Sequence, residues 1–159
     1  MKKGSQRSQS QPPAPEYGLA CGVVFFVSGD LDVARPTITR LGTSLLDLLG
    51  QASDDASAAA FAKRSKTRWK QFAESVSFES TERFTAVRSS AKEYQAGQLT
   101  MVGANASPGC LNLPSFIYAE LPQSTDDQQI IGVMVDAVAS GHVFLALSDV
   151  VLADNPKDY

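Results

Sequence analysis

The sequence predicts an α+β fold, a mainly antiparallel sheet with two or three helices packed on it, in the order β-α-α-β-β-β-α-β. Three patterns lead there. A β-branched and aromatic run, Cys21-Gly-Val-Val-Phe-Phe-Val-Ser28, reads as a strand. Two segments with apolar residues at helical spacing follow it, and most of the later chain shows short stretches of strand type bounded by turn residues.

The first strand, 21–28, has apolar residues on both alternating sets, as expected of a central strand buried on both faces. Pro36 suits a first helical position, Ile38, Leu41, Leu45 and Leu48/Leu49 follow at helical spacing, and Gly50 offers a stop. A second helix is expected from Asp54 or Asp55, whose carboxylates suit a helix start, to about Ser75. Phe61, Trp69, Phe72 and Val76 share one face of it, so Trp69 should be at least half buried.

Phe78, Phe84, Thr85 and Val87 among the charges of 77–88 suggest a strand wet on one face, and Leu99 to Val102 a short one. Asn105-Ala-Ser-Pro-Gly109 marks a loop. Leu111, Leu113, Ile117, Ala119 and Leu121 then line one face of a further strand, with Phe116 and Tyr118 on the other and a bulge or edge position at Pro114. Residues 125–140 fit strand through Val133, Val135 and Val138. They fit helix through a capping box Thr125-x-x-Gln128 and the spacing of Ile130, Ile131, Met134, Ala137 and Val138, and helix is the expectation. Val143 to Leu152 forms the last strand.

Length and composition suit a single soluble domain: 159 residues, 43% hydrophobic and 19% charged. The expected organisation is a flexible, Ser/Gln/Pro-rich tail over 1–16, one α+β domain over 17–154, and a polar tail over 155–159. No apolar run approaches the ~18 residues of a membrane span. Met1-Lys2-Lys3 resembles the start of a secretion signal, but Gly4 to Pro15 supplies no apolar stretch, and Leu19-Ala20-Cys21-Gly22 is a poor lipoprotein box. A cytoplasmic location follows as the expectation. Cys21 and Cys110 could pair by number alone, although a reducing compartment would keep them free, and Cys21 then reads as a small buried hydrophobe.

Catalytic residue types are scarce. His142 is the only histidine, in a Ser-Gly-His turn, and no nucleophile elbow, P-loop, dinucleotide fingerprint or metal-ligand spacing is present. The pairs Asp30/Asp32, Asp54/Asp55 and Asp126/Asp127 sit where capping favours Asp. Asp136 and Asp149, flanked by valines, come closest to the apolar setting an acid/base carboxyl needs. Neither an enzymatic role nor a cofactor or metal is expected.

Charge is more informative. Fourteen basic against 17 acidic residues give a net charge of −3, which argues against a whole-surface nucleic-acid binder. Yet Lys63, Arg64, Lys66, Arg68 and Lys70 crowd five cations into eight residues of the second helix around Trp69, whereas Lys157 is the only base after Glu120. Such polarity suits steering of a complementary protein partner, and these five cations are the candidate binding residues. A solvated helix face over a buried Trp69 is the plain structural alternative.

The apolar strand Val23-Val-Phe-Phe-Val27, the leucine-bearing helix Leu41 to Leu49, the helix carrying Trp69 and the stretch Asn112-Leu-Pro-Ser-Phe-Ile-Tyr-Ala-Glu-Leu-Pro122 together resemble the bacterial polymorphic-toxin immunity proteins in outline. The Pro114 break and the tail 1–16 depart from that outline. The resemblance implies a non-catalytic inhibitor that neutralises a cognate toxin by occluding it, with no functional residue to carry over. The alternative is a virion structural or nucleic-acid-associated protein using Lys2, Lys3 and Arg7 as a basic arm; three cations are few for that task. The oligomeric state stays open.

Overall fold

The computed structural model describes residues 18–27, 31–51, 56–76, 83–88, 97–102 and 115–153. The expected tails, Asp30, Asp54, Asp55, Phe78, the 105–109 loop, Cys110 and the 111–114 segment lie outside the described residues. The elements are β1 (Gly18–Val27), α1 (Leu31–Gln51), α2 (Ala56–Ser75), β2 (Arg83–Arg88), β3 (Gly97–Val102), β4 (Phe116–Pro122), α3 (Asp127–Ala139) and β5 (Val143–Ala153). This is the predicted α+β order.

The strands form one sheet, β2-β3-β4-β1-β5, in which each neighbouring pair is antiparallel. Register across its centre aligns Val23 with Ala119 and Ser148, and Phe25 with Ile117 and Ala146. Period two then sends Val23, Phe25, Val27, Phe84, Ala86, Leu99, Ile117, Ala119 and Leu121 to one face, where all are buried in a core shared with the helices. Over that face α2 packs on β2, α1 on β3 and β4, and α3 on β5.

β1 departs from its expected burial on both faces. On the face away from the core Ala20 and Gly22 are buried, Gly22 beneath Val151 and Tyr118, whereas Val24 and Phe26 are only half buried. Phe26 instead meets Phe116 and Phe144 at ring-centroid distances of 6.2 and 6.1 Å.

α1 starts five residues before Pro36, which is therefore inside the helix and not at its first position. Burial explains it: Leu31 and Ala34 are fully inaccessible and anchor the extra turn, while Pro36 lies on the exposed side of the helix, clear of the core. Ile38, Leu41, Leu45, Leu46, Leu48 and Leu49 then face the core.

Residues 127–139 are helical, but Thr125 is not the cap. Asp126 is the N-cap, with Oδ1 accepting the Gln128 amide at 2.9 Å. Thr125 Oγ1 is buried and has no hydrogen-bond partner among the described residues. At the far end Gly141 takes φ = 77°, a left-handed conformation that glycine reaches without steric cost, and turns the chain into β5.

Candidate partner-binding surface

The basic helix is built around Trp69. Its indole is fully buried, 5.0 Å from Phe84 edge-on and 5.9 Å from Phe72, and its Nε1 donates to the Thr39 carbonyl on α1 at 3.0 Å. Phe61 and Phe72 are half buried and Val76 is inaccessible, so the predicted face is the packed one.

Arg35 of α1 holds the far end of α2. Its guanidinium donates to the Ala73 carbonyl and, at 2.8 Å, to the Val76 carbonyl, while Asp32 pairs with it from the preceding turn. α2 has no base in its own last turn, and this clamp supplies the missing positive charge at its C-terminus.

With Trp69 pointing inward, a turn of about 100° per residue spreads the five cations over both flanks and the outer face of α2. Lys63, Lys66 and Lys70 lie on one flank, Arg64 and Arg68 on the other. Two of the five have structural partners. Lys66 Nζ is 2.5 Å from Asp47 Oδ1 on α1, and the Arg68 guanidinium stacks 5.7 Å from the Phe84 ring centroid. Lys63, Arg64 and Lys70 are exposed and make no ion pair among the described residues, and none joins Glu74 to Lys70. A patch of three solvated cations on a fixed helix is what remains.

The other singled-out residues that are described do not assemble into a site. Ser140 Oγ donates to the Ala137 carbonyl at 2.6 Å and accepts the His142 amide at 3.3 Å, which is turn chemistry at the end of α3. Asp136 and Asp149 are both exposed, so neither has the buried setting an acid/base carboxyl needs; Asp149 accepts the Val150 amide at 2.7 Å. Cys21 is a free thiol, half buried rather than buried, with Sγ 3.4 Å from Ser148 Oγ. Among the described residues no group of His, Cys, Asp or Glu could hold a metal ion, and no helix is long and apolar enough to cross a membrane.

A shallow groove between α1 and α3, lined by Arg40, Leu41, Ser44, Val133 and Asp136, has a cavity volume of only about 40 Å³. That is far below the ~300–1,000 Å³ of small-molecule sites. Comparison of the chain with protein-family models, with curated proteins and with solved structures finds no match. The functional reading therefore rests on the chain's own residues.

Proposed function

We propose that this chain is a non-enzymatic protein-binding protein that receives an acidic surface of its partner on the outer face of α2. The specific form we favour is an immunity protein that occludes a toxin. The observation carrying the proposal is that Lys63, Arg64 and Lys70 stand exposed and without an ion pair among the described residues, on a helix fixed from beneath by Trp69 and at its end by Arg35. Solvated like charges on one helix repel slightly and add nothing to folding, whereas across an interface they accelerate association.

Co-expression with the toxin-bearing product of a neighbouring gene tests it. The chain should protect the cells, and the triple variant Lys63→Glu, Arg64→Glu, Lys70→Glu should slow association by about tenfold or more without moving the melting temperature. Full protection by the triple variant would remove α2 from the interface. Retention on a heparin or oligonucleotide matrix that falls steeply with salt would favour the nucleic-acid reading instead.

A further inference from the structure

Among the described residues β5 is the last strand of the sheet and pairs on one side only, with β1. Edge strands of folded proteins are commonly short, interrupted by proline or guarded by lysine. β5 has 11 residues, VFLALSDVVLA, with no proline or basic residue. Phe144, Leu145, Leu147 and Val150 are exposed on it, Phe144 to 56% and Leu147 to 50%.

α3 lies over β5 and carries a second exposed apolar row, Ile131, Val135 and Val138, with Val135 exposed to 59%. These residues are spaced i, i+4, i+7, so they form one stripe. The flank of α3 toward α1 is known from the groove, which Val133 and Asp136 line. At about 100° per residue the Ile131–Val135–Val138 stripe falls on the opposite flank, away from α1. The free edge of the sheet and the free apolar flank of the helix layer therefore lie at the same end of the molecule.

We infer that this end is the interface of a symmetric homodimer in which β5 pairs with β5 of a second copy and α3 packs against its counterpart. A two-fold axis perpendicular to the sheet makes the two β5 strands antiparallel and keeps both helix layers on one face, so each layer continues into its own kind. A peptide adding to the strand would leave the α3 stripe in water.

Apolar character and charge agree with this occupant. On the helix side of the seam Ile131, Val135, Val138 and Val150 present roughly 350 Å² per copy before any backbone is counted, and on the bare face, which Leu145 and Leu147 share with Phe26 and Val24, each leucine would meet its counterpart across the seam. Between Val143 and Ser148 β5 carries no charge, and Asp149, the only charge in the strand, already accepts the Val150 amide. Pairing centred on Ala146 sets Leu145 opposite Leu147 of the second copy and Asp149 opposite Val143, so the two carboxylates do not face each other.

Sedimentation of the full chain over a concentration series, with amide exchange read in parallel, tests the inference. At micromolar concentration the mass should be twice 17.0 kDa, and the amides of Leu145–Ser148 that point away from β1, every second one, should exchange slowly. Val135→Lys and Leu147→Lys, at exposed positions, should each weaken the dimer at least tenfold and speed exchange in β5, while the melting curve at concentrations too low for dimer stays unchanged. Lys70→Glu, on α2 at the opposite end of the helix layer, should leave the dimer intact. A 17.0 kDa particle at all concentrations would overturn the inference, and if its edge-facing β5 amides were nevertheless protected, the edge would belong to another segment of the same chain. A dimer indifferent to both lysine variants would overturn it equally.

Discussion

Gly42 of α1 lies against the indole of Trp69 so closely that a Cβ at position 42 would fall 2.0 Å from the indole Cε2. The two helices approach through the absence of one side chain and the presence of the largest. The Trp69 Nε1 bond to the Thr39 carbonyl, one turn before Gly42, fixes the ring in that slot.

Gly42→Ala should therefore destabilise. On an open helix face the substitution would gain about 1 kcal/mol from helix propensity. Here the clash outweighs that gain, and a net loss of about 1–3 kcal/mol is expected. Trp69→Ala should cost about 3–5 kcal/mol. Trp69 is the only tryptophan, so its fluorescence during urea unfolding reads Gly42→Ala directly, and circular dichroism reads the rest. In the double variant Gly42→Ala, Trp69→Phe, the smaller ring should absorb part of the clash, giving a sum of single effects larger than the combined one.

Arg35→Ala should cost about 1.5–3 kcal/mol, the range for hydrogen bonds to a charged group, because the Ala73 and Val76 carbonyls lose their donor. Arg35→Lys should recover only part, since one ammonium cannot reproduce the fork that spans both carbonyls. Faster amide exchange confined to the last turn of α2 would place the loss where the clamp acts.

Thr125 and Asp126 separate two caps for α3. Asp126→Ala should cost about 1 kcal/mol, as loss of an N-cap does. Thr125→Val removes a buried hydroxyl that has no partner among the described residues, and should be neutral or stabilising by up to about 1 kcal/mol. Thermal melts of the two single variants decide it, and a cost at Thr125 with none at Asp126 would reverse the assignment.

Tyr118 should ionise late. Burial, chiefly, and then the hydrogen bond from its Oη to Glu120 Oε1 at 2.9 Å raise its phenol well above the ordinary value of 10.0. The folded state thus holds this proton more tightly than the unfolded chain, so the contribution to stability is intact below pH 10 and declines as pH rises beyond it. An alkaline absorbance titration should show one of the four tyrosines ionising only at the highest pH or on unfolding, and Tyr118→Phe should remove that component.

Strands and helices of this chain were legible because their signals are local. The alternation of Ile117, Ala119 and Leu121, the helical spacing from Ile38 to Leu49, and the shared face of Trp69 and Val76 each need only a few neighbouring residues to be read. The five cations of the second helix were equally visible as a cluster. Their fates were not, because Asp47 and Phe84, which engage Lys66 and Arg68, come from elements whose distance from α2 no local pattern encodes.

Tertiary structure decided the remainder. Pro36 alone would start a helix, and only the burial of Leu31 and Ala34 carries α1 one turn earlier. Gly42 reads as a weak point in a helix until Trp69 arrives from another one. Val143 to Leu152 reads as any last strand, and pairing with β1 alone among the described residues makes it an edge. Periodicity fixes which side of an element is apolar, since that depends on residues two to four apart. What that side meets depends on long-range register, where the energy comes from contacts between residues far apart in sequence.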